Sequence, residues 1–323
     1  MKKMIELIKN RSDIGAGTRG SDLGIDAIEI AAINKGSQYF INYPFVDVPT
    51  RNSSIYQNDN HPFGKHIQQI YEQCKQVAST VEDSLSAGNF PLVFSGDHSS
   101  AMGTISGIKS AYPDKKLGVI WVDAHADIHS PYTTPSGNMH GMPLAAMLNE
   151  DNLTCKINEI DQSTLEFWNK LKRIAGPAEK IQPTSLIYFG VRDTEKPEDL
   201  LIERLGIKNY RVEEIRQRGI GDCVTEALLG LQNCDMIYIS FDVDSMDSEL
   251  ISDGTGTPVP KGFMPKEIVL ILEEIIRSGK VSCLEIVEVN PLLDNKGNKM
   301  AEVAFDILER ITPLIELKSA GNL

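Results

Sequence analysis

Two histidines and four aspartates stand in three short segments that lie far apart in the chain. They are His98 in Ser95-Gly-Asp-His-Ser99, Asp123, His125 and Asp127 in Asp123-Ala-His-Ala-Asp127, and Asp242 and Asp244 in Asp242-Val-Asp244. Each segment follows a short apolar run. If the chain stays extended through Asp127, side chains alternate, so both carboxylates and the imidazole point one way and the alanines the other. Polar groups at the end of a strand with no polar face are costly to desolvate unless something compensates them. A bound cation is the simplest compensation. Imidazole and carboxylate without thiolate suit harder, octahedral ions such as Mn(II) better than zinc. Six side chains are too many for one transition ion with an open position, so some aspartates must bridge and a two-metal centre is the economical reading. With a bridging hydroxide it carries about one net negative charge, an attractive place for a cationic substrate. A single Asp-Ala-His triplet is more often a hydrogen-bonded turn. Three such segments, each at a strand end, favour metal.

The apolar runs that must hold these groups read as strands at 91–94, 117–122 and 236–241, joined by others at 4–8, 39–46, 185–191 and 281–289. Helical patterns fall at 21–32, 61–85, 99–112, 265–278 and 299–317. Strands alternating with helices predict an α/β fold, a largely parallel central sheet flanked by helices on both faces. In such sheets ligands collect beyond the carboxyl ends of the strands, so the three segments and Glu288 can meet at one edge. No repeat, low-complexity tract or linker interrupts the chain, and one domain over 1–323 is expected. Gly15-Ala-Gly-Thr-Arg-Gly20 has the form GxGxxG, but no acidic residue lies between Glu29 and Asp47, where a dinucleotide site wants one. It reads as a glycine-rich turn into a helix. His61 and His66 read as surface or capping histidines.

The formal charge of −13 over 323 residues argues against nucleic acid as a partner. No apolar run approaches the roughly 18 residues that suggest a membrane span, and the lysine-bearing start, MKKMIELIKN, is too short in its apolar part for a signal peptide. A soluble, cytoplasmic protein is expected. Five dispersed cysteines without a CxxC pair suit reduced core thiols.

The three segments resemble the metal-binding signatures of the ureohydrolases, the binuclear manganese enzymes that include arginase and agmatinase. Thr133-Thr-Pro-Ser-Gly-Asn-Met-His-Gly141 resembles the arginase loop rather than the agmatinase one. The resemblance implies an arginase-like three-layer α/β/α fold and two Mn(II) ions. His98, Asp123, Asp127 and Asp242 would hold one ion and His125, Asp123, Asp242 and Asp244 the other, with Asp123 and Asp242 bridging. The implied reaction is hydrolysis of the L-arginine guanidinium to L-ornithine and urea by a metal-bridging hydroxide. Asp127 would stabilise the tetrahedral intermediate and pass on its proton, and His140 would act as general acid or proton shuttle. Glu288 matches the carboxylate that pairs with the guanidinium, and Thr257 a residue lining the same pocket. Thr134, Ser136 and Asn138 match the loop that recognises the α-carboxylate, and Glu195 and Glu198 the pair near the α-amino group. A homo-oligomer, trimer or hexamer, is implied as well.

Four departures from the arginase pattern bear on the substrate. His129 stands where arginases carry an asparagine for the α-carboxylate, and Glu195 replaces an aspartate. Ser248 replaces a proline, with one residue more before Thr257, and Ser95 replaces a glycine. Agmatine, or a guanidino acid other than arginine, is therefore the nearest rival substrate. A two-metal phosphoesterase would want a GNH[ED] element, which Met139 interrupts. A catalytically dead binding protein would be expected to lack ligands that are all present here.

Overall fold

Every residue of β4 (Leu117–Val122) is buried, as a strand covered by helices on both faces requires. Its side chains alternate between two separate cores: Val119 and Trp121 join one, Ile120 and Val122 the other. The structure, a computed structural model, describes residues 4–319. With β4 the described strands are β1 (Ile5–Asn10), β2 (Phe45–Asp47), β3 (Phe90–Ser95), β5 (Leu186–Phe189), β6 (Lys208–Tyr210), β7 (Met236–Asp242) and β8 (Val281–Val287). They form one sheet in the order β2-β1-β3-β8-β7-β4-β5-β6. Every pairing is parallel.

One face carries α1 (Gly24–Asn34), α8 (Val212–Arg218), α9 (Ile220–Gly230), α10 (Pro265–Arg277) and α11 (Lys299–Ser319), whose apolar residues fill the first core. The other carries α3 (Ile67–Ser86), α4 (Ala101–Ala111), α5 (Pro143–Leu148), α6 (Gln162–Lys172) and α7 (Lys196–Leu205). Helix α10 shows why these segments dock: Ile268, Ile271, Leu272, Ile275 and Ile276 are all buried, the spacing of a single helical stripe. The three-layer α/β/α arrangement expected from the sequence is present, and the sheet is wholly rather than largely parallel. Among the described residues no helix is long and apolar enough to cross a membrane.

Residues 39–46 are not the strand their aromatic and β-branched residues suggest. They form a short helix, α2 (Tyr39–Asn42), and then the edge strand β2, which begins only at Phe45. Tyr39 meets Phe305 edge-on and donates to or accepts from Thr312 Oγ1 at 2.7 Å, while Phe40 lies against Phe94 and Phe305. Packing onto α11 overrides the local strand preference, as tertiary contacts commonly do. The helices α5 to α9 and strand β6 occupy stretches in which sequence periodicity marked no element. Of these, α5, α8 and β6 are short, and α6 buries only Thr164, Trp168, Leu171 and Lys172.

Candidate metal centre

The four central strands, β3, β8, β7 and β4, deliver their ends to one rim. At three of those ends an aspartate folds back on its own backbone. Asp97 Oδ1 accepts the Ser99 N–H at 2.8 Å, Asp123 Oδ1 that of His125 at 2.7 Å, and Asp242 Oδ1 that of Asp244 at 2.8 Å. These Asx turns explain the recurrent two-residue spacing. Each occupies one carboxylate oxygen; the second oxygens of Asp123 and Asp242 face His98 Nδ1, while that of Asp97 accepts the Gly15 N–H. The extended path expected through Asp127 is therefore not taken. Strand β4 stops at Val122, and Asp127 adopts a left-handed φ of 50° that redirects its side chain.

His98 Nδ1 lies 3.1 Å from Asp123 Oδ2, 3.0 Å from Asp127 Oδ2 and 3.2 Å from Asp242 Oδ2. Its ring stacks on Trp121, 3.9 Å between centroids and 3° from coplanar, and Nε2 is 2.6 Å from Ser240 Oγ. That second contact fixes the ring so that Nδ1 faces the carboxylates. On the other side His125 Nδ1 is 2.9 Å from Asp244 Oδ2 and 3.6 Å from Asp123 Oδ1. Donor atoms of His98, Asp123 and Asp127 lie within 4.8 Å of one another, and so do those of Asp123, His125 and Asp244.

These groups fit divalent cations. His98 Nδ1 and Asp123 Oδ2 are buried without a hydrogen-bond partner, which is expensive unless a ligand satisfies them. Burial, then the charge of Asp123, pushes the Asp127 carboxyl up to about 7. Burial and the neighbouring aspartates likewise raise Asp242 and Asp244 above the ordinary carboxylate range. A positive charge among them removes that conflict.

Over this floor lies a cavity of about 330 Å³. It is lined by His98, His125, Asp127, Asp242 and Asp244, and by the residues matched to substrate recognition, His129, Thr134, Ser136, Asn138, Glu195, Glu198 and Thr257, with His140 and Glu288. Asp123 lies beneath, fully buried. Glu288, just past β8 with φ 66°, accepts the His98 N–H on Oε1 at 2.9 Å and leaves Oε2 buried and unpartnered. Thr257 Oγ1 donates to Asp244 Oδ2 at 3.1 Å. The loop from His129 to Gly141 is braced internally, Thr134 Oγ1 accepting the Gly137 N–H at 3.0 Å and Ser136 Oγ that of Asn138 at 3.2 Å. Glu195 and Glu198 form the capping box that starts α7.

Several contributors carry no sequence signature of their own. Trp121 and Ser240 hold the His98 ring, but each reads only as a strand residue. Asp193 lines the cavity with Oδ2 3.6 Å from His125 Nε2; its place just after β5 was the available signal. Arg192 donates to the carbonyls of Asp244, Met246 and Val259, tying the end of β5 to the loop after β7. The Gly15–Gly20 turn packs behind the centre: the Gly15 N–H reaches Asp97 Oδ2 at 2.9 Å, and its carbonyl accepts the His140 N–H at 3.1 Å. A Cβ on Gly15 would stand 2.5 Å from Ser99 Oγ, so close approach rather than phosphate binding accounts for the glycine.

Residues 5–312 match the profile of the arginase family. An arginase of Bacillus subtilis (strain 168) is 33% identical over 313 residues, covering 96% of this chain and 98% of that one. Arginase-1 of Homo sapiens is 38% identical over 281 residues, 86% of this chain and 80% of its own. Among solved structures, the arginase of Bacillus caldovelox superposes with a TM-score of 0.82 at 32% identity, covering 96% of this chain and 98% of that one.

Proposed function

The chain belongs to the arginase family, and we propose that its cavity hydrolyses the guanidinium of L-arginine to L-ornithine and urea with two Mn(II) ions. Metal-dependent hydrolysis of a guanidino C–N bond is the activity that membership carries. The observation that supports the finer reading most directly is the pair of donor groups sharing Asp123 beneath a cavity whose lining includes Glu288, with its Oε2 unpartnered.

His98, Asp123, Asp127 and Asp242 would hold one ion, and His125, Asp123, Asp242 and Asp244 the other. When bound, such ions make water acidic enough to supply hydroxide at neutral pH. The chain's own groups do the rest. Glu288 Oε2 takes the planar, permanently charged guanidinium through charge-assisted hydrogen bonds, and so presents its central carbon to the floor of the cavity. Thr257 fixes Asp244 and walls the pocket beside it. Asp127 accepts the proton released at the attacking oxygen and returns it to the departing amine. His140 donates the last proton. The α-carboxylate would be read by Thr134, Ser136 and Asn138 and the α-amino group by Glu195 and Glu198, with His129 beside them.

Urea release from L-arginine, abolished by chelation and restored by Mn(II), tests the reading. A large preference for arginine over agmatine is expected; equal rates would defeat the substrate assignment. A trimeric or hexameric, cytoplasmic enzyme is part of the same proposal, and light scattering on the purified protein checks the assembly.

A further inference from the structure

We propose that His129, Glu195 and Glu198 form a third, weaker divalent-cation site at the outer end of the cavity. His129 Nε2 lies 2.7 Å from Glu195 Oε2 and 3.5 Å from Glu198 Oε2, and one donor atom from each of the three residues falls within 4.8 Å of the others. His129 is only 7% exposed. Its Nε2 is nevertheless without a hydrogen-bond partner, because neither oxygen stands where a ring N–H could meet it. His98 Nδ1 shows the same signature: buried, unpartnered, and ringed by carboxylate oxygens at 3.0–3.2 Å.

Thr133 stands behind the ring. His129 Nδ1 is 3.0 Å from Thr133 Oγ1, a hydroxyl that also accepts the Ser130 N–H at 3.0 Å and lies 3.4 Å from Ser130 O. A ring hydrogen on Nδ1, donated to that hydroxyl, leaves the Nε2 lone pair for the cavity, the arrangement of metal-binding histidines. The carboxylates are placed by the backbone. Glu198 accepts the N–H groups of Glu195 at 3.0 Å and Ile128 at 3.4 Å, and the Glu195 side chain caps α7 in return. No lysine or arginine among the described residues forms an ion pair with either of them. Two carboxylates and one imidazole match a borderline divalent ion such as Co(II) or Zn(II). The Glu195 side chain is 51% exposed, so the remaining coordination positions open to solvent and binding is weaker than at the buried centre. The cation would stand where the functional reading puts the substrate's α-ammonium and would compete with it. That competition rests on the functional reading; the site itself does not.

Equilibrium dialysis of the full-length protein against Co(II), with metal analysis, tests the site. The expected result is two tightly held ions and a third at least about tenfold weaker. His129→Asn and, separately, Glu195→Gln should each bind only the tight pair, and Asp123→Asn should lose the tight ions while keeping the weak one. Excess Co(II) should raise KM for L-arginine severalfold without lowering kcat in the wild type, and this Co(II) dependence should be absent from Glu195→Gln. Saturation of the wild type at two ions, or a third ion retained by either variant, would overturn the proposal. Loss of the tight pair alone from the wild type would instead count against the two-ion centre.

Discussion

His140 Nδ1 stands 3.0 Å from Glu288 Oε1, the same oxygen that accepts the His98 backbone N–H. One carboxylate thus joins the loop after β4, the turn after β3 and the end of β8, and still keeps Oε2 for a ligand. Burial works against the His140 imidazolium more than any single neighbour favours it, but the charge and hydrogen bond of Glu288 together with the charges of Asp127 and Asp97 outweigh it and raise the group to about 9. The Glu288 carboxyl, resisted by burial, is correspondingly held below its usual range by His140.

This pair makes stability depend on pH with a definite sign. The folded-state pKa of His140 lies above its ordinary value of 6.5, so its contribution is complete below about pH 6.5 and is lost as pH rises through about 9. The difference in unfolding free energy between metal-free wild type and metal-free His140→Asn should be on the order of 3 kcal/mol at pH 6. It should shrink toward pH 9–10. Urea titrations across that range check it; a difference that grows with pH would contradict the pairing.

Asp242→Asn should separate stability from metal binding. Burial and the charges of Asp244 and Asp123 raise the Asp242 carboxyl, so the ionised side chain opposes folding at neutral pH when no cation is present. An amide keeps the Oδ1 acceptor for the Asp244 N–H and removes the charge. The metal-free variant should melt above the metal-free wild type, by a free energy of about 1 kcal/mol or more. Thermal scans with and without chelator should show a large drop for the wild type and almost none for the variant.

Glu288→Gln should keep its metal and lose its substrate. The amide retains an acceptor for the His98 N–H but cannot neutralise a guanidinium. A fall of about a hundredfold or more in kcat/KM on L-arginine is expected from loss of a buried charge partner. Metal content by elemental analysis should match the wild type; depletion would place Glu288 in the ion site instead.

Gly137→Ala should loosen the substrate loop. Gly137 has φ +77°, and a Cβ there would fall 1.9 Å from Pro62 O. Neither the backbone nor that carbonyl can accept a methyl group without moving, at a cost of about 1–3 kcal/mol. KM for L-arginine should rise more than kcat falls, and hydrogen exchange over 133–141 should quicken. An unchanged exchange pattern would show that the contact with Pro62 does not hold the loop.

Much of this was legible in the sequence because the chemistry is local. Asp123, His125, Asp242 and Asp244 announce themselves at two-residue spacing after apolar runs, and the runs of β3, β4, β7 and β8 are long enough in buried residues to read as strands. What escaped was relational. The 39–46 segment became helix and edge strand because Tyr39 and Phe40 pack on α11, a partner more than 250 positions away in the chain. The left-handed turn at Asp127 leaves no mark in a pattern of alternating residues. Trp121 and Ser240 support His98 only because β3, β8, β7 and β4 lie in that order in the sheet and end at one rim, and Arg192 acts through carbonyls, which sequence does not distinguish.

The Asx turns at the strand ends have a consequence for how this scaffold tolerates change. Since each aspartate is oriented by the backbone two residues ahead of it, and the strands by their neighbours in the sheet, the connecting segments contribute little to where those carboxylates stand. Changes of length beyond the tripeptides can therefore reshape the mouth of the cavity while its floor stays fixed. Divergence in what is bound and conservatism in how water is activated become separable properties of one polypeptide.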